Sequence, residues 1–402
     1  MRRIISLILV TSMLPATMRA QASAQPKPGW VAETIHSHSL GRRTVYVATP
    51  ADYATSKARY PVIVLLDAED PVEFGLWVSQ AAYVADNMPG VPQVIAVGIA
   101  NGDDRLHDML APASGSSVAR FKTAGGDVAF ADFILGEVLP HIRATYRTMP
   151  STILAGHSAG ALFALDVAAH RPTAFQGIIA MSPALWYNDS SGVRQYSDLL
   201  IAAPNRPRIF VCSGGLEQDI DVTSQRFAQI MSAAVAPGTF EYRHYPDLWH
   251  AMTPMSFADG FRFIFRPVWA RSLKLDSLDV ANADSGSIAQ TLSASERAYA
   301  AGAKALGLPE QLSERVVNSL GYKLLNANRN GLAVWIFREN ARRYPESVNV
   351  YDSLADGLLA LGDTSAAVQE LQRSIQLAKK NGEIVNRETE AKLRKLTPRK
   401  AT

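Results

Sequence analysis

The chain has a single cysteine in 402 residues, so it cannot close an internal disulfide. Cys212 lies in the apolar run Arg208–Cys212 and reads as a buried strand residue rather than a nucleophile. No apolar run reaches the length that crosses a bilayer. The 8 histidines are scattered without metal-ligand spacing, and there is no glycine-rich phosphate loop, so neither metal nor cofactor is expected. Net charge is also missing. Lys and Arg number 40 against 37 Asp and Glu, and three of the cations, Arg2, Arg3 and Arg19, fall within the first 24 residues. The remainder is formally neutral, which argues against nucleic acid as a partner.

What is present begins with an export signal. Arg2 and Arg3 precede the short apolar stretch Ile4–Val10, and small-residue cleavage patterns follow at Ala20-Gln21-Ala22 and Ala22-Ser23-Ala24. Residues 1–24 are therefore expected to be removed, leaving a periplasmic or secreted protein with no membrane span.

From Val31 to Phe265 short apolar runs alternate with helical patterns, the signature of an α/β fold with a mostly parallel sheet flanked by helices. The runs include Tyr60–Leu66, Gln93–Gly98, Ser151–Ala155, Gly177–Met181, Arg208–Cys212 and Phe240–Tyr245, each nearly continuous in apolar character, as strands covered on both faces are. An antiparallel hairpin is expected ahead of them, over Thr34–Ser39 and Arg43–Ala48. Helices are expected over Trp77–Asn87, Phe130–Tyr146, Ala159–His170, Ser224–Ala234 and Phe257–Val268. The boundaries read as a catalytic domain at 30–270, a linker at 271–295 and an all-α module at 296–395. Within that module Asn318-Ser319-Leu320 recurs as Asp352-Ser353-Leu354 at a spacing of 34 residues, with Leu324 on Leu358, Ala333 on Ala367 and Phe337 on Leu371. That period marks a tetratricopeptide-like helical pair. Two units rarely stand alone, so the module is expected to pack on the catalytic domain or to receive a protein partner.

Chemistry enters at Gly156-His157-Ser158-Ala159-Gly160, of the form G-x-S-x-G. The pentapeptide alone is only moderately specific. Its setting, after a strand and at the head of a helix, is the one a nucleophile elbow requires. Ser158 is the candidate nucleophile, and the N–H of Ala159 the first donor to an oxyanion. A serine hydroxyl needs an imidazole to take its proton. Of His170, His244 and His250 downstream, His250 follows the last strand, where this chain order puts the base, with His244 as the alternative. The orienting acid should follow the strand Arg208–Cys212, where Glu217 comes first, ahead of Asp219 and Asp221. The second oxyanion donor is expected from Ala68 or Glu69, after the first buried strand. No HGGG string occurs.

Taken in order, these segments resemble the putative-esterase family of α/β-hydrolases, which includes esterase D-like and siderophore esterases. The resemblance covers roughly Ile35 to Phe265. It rests on Tyr60–Asp67, Arg105-Leu106-His107-Asp108 before Pro112, Gly125-Gly126, Tyr146-Arg147, the elbow, Ser182–Trp186, and His250 before Asp259–Phe263. It implies a metal-independent Ser–acid–His hydrolase with Ser158 and His250 at the family positions. Ala68 and Ala161 depart from it, standing where the family usually has glycine.

Trp186 and Tyr187, after the strand ending near Ser182, are candidates for stacking on a substrate, with packing under a cap as the equal alternative. Arg105 and Asp108 are expected to pair and brace a loop beside the site. The expected substrate is a small-molecule ester, of siderophore type or another. The rivals are acyl transfer or amide cleavage with the same triad, and an inert scaffold that binds through its helical tail.

Overall fold

Isoleucine, valine and alanine fill the central strands, and nearly all of them are buried on both sides of one sheet. A computed structural model describes residues 29–397 except 55, 251–252, 270–272, 274 and 276–277. The expected export signal lies outside the described residues. Eight strands form the sheet: β1 (Val31–Ser37), β2 (Gly41–Ala48), β3 (Tyr60–Leu65), β4 (Ile95–Ile99), β5 (Thr148–His157), β6 (Gly177–Met181), β7 (Arg208–Gly214) and β8 (Phe240–Tyr245). Their spatial order is β1-β2-β4-β3-β5-β6-β7-β8. The β1–β2 hairpin and its junction with β4 are antiparallel, and every other pairing is parallel. This is the α/β-hydrolase arrangement that the alternating runs imply.

The helices of this domain are α1 (Pro71–Asn87), α2 (Arg105–Met109), α3 (Asp127–Phe133), α4 (Leu139–Thr145), α5 (Ala159–His170), α6 (Ser191–Ala202), α7 (Gln218–Ala234) and α8 (Thr253–Phe265). One wide turn, Ile134–Val138, joins α3 to α4, so the single expected helix is a pair. Helix α6, which is not among the expected helices, buries Val193, Tyr196 and Leu200. One face of the sheet packs on side chains from α3 to α7, among them Phe130, Phe163 and Phe227. The other packs on α1 and α8, where Trp77 and Phe257 stack with centroids 5.5 Å apart.

That second core continues without a break into the C-terminal module, α9 (Ser285–Ala305), α10 (Glu314–Asn326), α11 (Asn330–Arg343), α12 (Val348–Leu361), α13 (Thr364–Asn381) and α14 (Arg387–Leu396). Helix α9 begins inside the stretch expected to be linker, capped by Asp284 and Ser287. Helices α12 and α13 start 34 residues after α10 and α11, and the residues that recur, Leu320, Leu324, Ala333, Phe337 and their counterparts, are all buried. The module docks at the amino end of the strands. Gly307 lies against Ser151 at the start of β5, and the Arg315 guanidinium donates to the Asp86 carbonyl at 2.9 Å. Ser158 follows the opposite end of β5, so the module stands away from it.

Phe337 is the central plug of the module: a Cβ on Gly321 or Gly357 would come within 2.3 or 2.8 Å of its ring. Phe337→Ala is expected to cost about 3–5 kcal/mol in chemical denaturation, with ester turnover at low denaturant unchanged. A loss below about 1 kcal/mol would mean the cavity refills.

Candidate active site

Strand β5 ends and α5 begins within two residues, and Ser158 takes φ 58 and ψ −116 to make the turn. A side chain on L-residues strains there, and the strain is what lifts the hydroxyl clear of the sheet edge. The turn admits no Cβ at position 156, which would lie 2.4 Å from the Gly160 carbonyl oxygen. At Gly160 the fit is only tight, 3.1 Å from Asp67 Oδ2. The Ser158 amide donates to Met181 and its carbonyl accepts from Leu162 and Ala184, so the elbow is anchored on both sides.

Glu217 follows β7, and its carboxylate is buried. Its Oε2 accepts from the Gly214 amide at 2.8 Å and the Ser182 hydroxyl at 2.9 Å, which leaves Oε1 for Nδ1 of His250 at 2.5 Å. Burial pushes this carboxyl up, but the bonds from His250, Gly214 and Ser182 outweigh it and hold it below the usual range. A carboxylate there fixes the proton of a neutral His250 on Nδ1, so Nε2 carries the lone pair. The ring is also placed from the elbow side. His157 Nε2 donates to the His250 carbonyl at 2.8 Å, with the two ring centroids 4.4 Å apart. Among the described residues the Ser158 hydroxyl makes no hydrogen bond, a common condition of triads before substrate closes them.

The competing residues lie elsewhere. Asp221 accepts from Ser213 and Gln225, with His244 3.4 Å away, a cluster built on β7, α7 and β8 that is separate from His250. Asp219 carries the second residue of α7 and makes no ion pair among the described residues.

Three expectations need correction. The Ala68 amide donates to the Ile99 carbonyl at 3.1 Å and is occupied; of the two amides the sequence offers, Glu69 remains. The Ala68 methyl fits because a glycine, Gly98, faces it: a Cβ there would come within 2.6 Å. Arg105 does not pair with Asp108. It grips Asp67 at 2.5 and 2.7 Å and reaches the His157 carbonyl at 3.3 Å, tying the loop after β3 to the elbow, whereas Asp108 is buried against Arg43 at 2.6 Å. Tyr187 is buried, its ring edge-on to Phe121 and its hydroxyl bonded to the Ala111 carbonyl, so it serves packing. Trp186 is half-buried, beside Phe121 and under the Arg120 guanidinium.

Residues 37–251 match the family described as Putative esterase. The chain belongs to the putative esterase family. As a member it is an ester-hydrolysing enzyme. It is 31% identical over 211 residues to the ferri-bacillibactin esterase of Bacillus subtilis, 48% of this chain and 72% of that protein. Over 148 residues it is 28% identical to the siderophore triacetylfusarinine C esterase of Aspergillus fumigatus, 34% of this chain and 48% of that one, so it spans about half of this relative. A solved IroE-like serine hydrolase from Shewanella oneidensis shares the fold at TM-score 0.60 and 23% identity, covering 76% of this chain and 98% of the other.

Sequence reading of this esterase missed His157, Ser182 and Trp249. His157 was visible as the variable residue of the elbow, but only folding sets it on the His250 loop. Trp249, 64% exposed beside His250, offered no periodic signal.

Burial and the nearby His250 push the His157 imidazole from its ordinary 6.5 down to about 4. Between those values the unfolded chain binds a proton that the folded chain refuses, so stability falls as the pH is lowered through that window. His157→Gln keeps a donor for the His250 carbonyl without titrating. Its melting temperature should fall less steeply than wild type between pH 6.5 and 4. Parallel profiles would show that His157 titrates normally.

Proposed function

We propose that this esterase cleaves its substrate through an acyl-enzyme on Ser158, with His250 as general base and Glu217 as its orienting acid. The observation that carries this reading is Glu217, locked on one oxygen by Gly214 and Ser182 and bonded through the other to Nδ1 of His250. Nε2 takes the hydroxyl proton as Oγ attacks the ester carbonyl, and later returns a proton to the departing alkoxide. The developing oxyanion is held by the amides of Ala159, at the head of α5, and Glu69. Water, deprotonated by the same imidazole, then releases the acid and restores the serine. None of these steps calls for a metal or cofactor.

The substrate we infer is an ester of siderophore type, met outside the cytoplasm. Its support is that the relatives named above are a ferri-bacillibactin esterase and a siderophore triacetylfusarinine C esterase, and that the chain opens with an export-signal pattern. The exposed ring of Trp249, the residue before the base in the chain, also suits a bulky, planar ligand better than a short acyl chain. The buried seam joining the helical module to α1 and α8 supports a packing role for the tetratricopeptide-like pair.

Rates on p-nitrophenyl esters of graded chain length, set beside iron(III)-loaded siderophore lactones, test this assignment. The expected outcome is a kcat/KM for the lactones at least about tenfold above the best p-nitrophenyl ester. Fast turnover of simple esters with untouched lactones would remove the siderophore assignment and leave the esterase chemistry intact.

A further inference from the structure

Strand β8 ends the sheet on the side away from the β1–β2 hairpin, and no strand lies beyond it among the described residues. Its residues are half-buried or exposed, whereas those of β7 beside it are almost all buried. Two bonds at its ends fix the direction of its backbone groups. The Ile209 amide donates to the Thr239 carbonyl and the Gly215 amide to the Tyr245 carbonyl, each at 2.9 Å. Odd-numbered residues therefore turn their backbone groups toward β7. Those of Tyr242 and His244 point outward, as alternation along a strand requires. An edge of this kind is a template for another strand.

The side chains divide between the two faces. Tyr242 and His244 turn to α7, where they line an open groove of about 510 Å³ with Gln225, Gln229 and Ser232; the helix contributes no charged side chain to it. Glu241 and Arg243 turn to the other face, where Arg266, just after α8, donates to Glu241 and Asp259 of α8 pairs with Arg243. Charges on an edge strand ordinarily keep other strands away. Their order here does the opposite for one partner, a second copy of the same strand. Antiparallel pairing sets outward residues against outward residues, so a two-fold axis must fall on a residue and not between two. An axis at Glu241 sets glutamate against glutamate, and one at Arg243 sets arginine against arginine. An axis at Tyr242 sets Glu241 of each copy opposite Arg243 of the other, with Phe240 opposite His244.

We propose that two copies of this chain join through β8, antiparallel about a two-fold axis at Tyr242, so that one eight-stranded sheet continues into the other. The outward amide and carbonyl of each Tyr242 bond to those of its counterpart. The two Glu241–Arg243 pairs face each other across the seam, at the cross-strand distance where opposite charges attract and like charges repel. The open groove beside Tyr242 leaves room on the α7 face for the second copy's aromatic side chains, and the glutamines and serine of α7 meet them without charge. Ser158, Glu217 and His250 take no part, so the seam stands or falls independently of the esterase mechanism.

Sedimentation velocity of the full chain, followed up to about 100 µM, tests the seam. A dimer half-formed at or below about 10 µM is expected. Glu241→Arg and Arg243→Glu should each weaken self-association at least about tenfold, because each variant then opposes like charges in its own dimer. Mixed in equal amounts, the two variants oppose unlike charges at both positions and should associate about as tightly as wild type, a rescue that a dimer seated elsewhere does not give. His244→Pro removes an outward N–H and leaves the ladder to β7 whole, so it should also weaken the dimer, and it serves where a charge variant fails to fold by circular dichroism. A wild-type monomer at about 100 µM, an unchanged dimer in the folded variants, or no association on mixing would overturn the proposal.

Discussion

Replacing Ser158 with alanine is expected to lower ester turnover by about a million-fold, and His250→Ala to do the same. The equality is the informative part. An elbow serine without its base is an ordinary alcohol, and a base without the serine has no proton to take, so on the proposed roles the two residues act as one unit and their losses should not add. The double variant should therefore be no slower than either single one. What survives in all three is the catalysis left to the oxyanion amides and to binding, about a thousandfold over water. Both side chains lie at partly exposed positions and neither carries the core, so the variants should keep wild-type melting behaviour. Residual turnover within about a hundredfold of wild type in His250→Ala would transfer the role of base to another group.

Glu217→Gln is expected to cost about ten-thousand-fold in kcat, by a route this geometry makes specific. Oε2 accepts from the Gly214 amide, and a backbone N–H can only donate. The glutamine must therefore leave its carbonyl oxygen toward Gly214 and turn its NH2 toward Nδ1 of His250. That forces the ring proton onto Nε2, the nitrogen that has to receive the serine proton. The imidazole stays in place in the wrong tautomer. Asp219→Asn and Asp221→Asn, by contrast, should leave kcat within about threefold, since Asp221 serves Ser213 and Gln225 and, among the described residues, no hydrogen bond or ion pair ties Asp219 to His250. A drop in Asp221→Asn with wild-type rates in Glu217→Gln would reverse the assignment.

The buried strands, the hairpin ahead of them and the strand–helix setting of Ser158 could be read from the chain, because each depends on local pattern. Short apolar runs name buried strands, and a serine between glycines at a strand–helix junction names a strained turn. The pairing of Arg105 could not be read this way. Its neighbour Asp108 is three residues on in the sequence, but α2 turns Asp108 inward to Arg43 and leaves Arg105 facing Asp67. The oxyanion donor failed for a similar reason. Which amide is free depends on whether β4 takes the other, and Ile99 takes that of Ala68. Tyr187 was placed on the right edge of the sheet, but a hydroxyl that finds the Ala111 carbonyl turns the ring into the core. The module's period was legible because matched positions bury the same face of each helix.

The proposal that His250 and Glu217 act on the Ser158 alcohol is tested most directly by a fluorophosphonate probe, with the adduct located by peptide mass spectrometry in wild type and in His250→Ala. The expected result is stoichiometric labelling of Ser158 in the folded wild-type protein, and labelling slowed by several orders of magnitude when the imidazole is gone. An adduct on another residue, or equal labelling rates in the two proteins, would contradict the assignment.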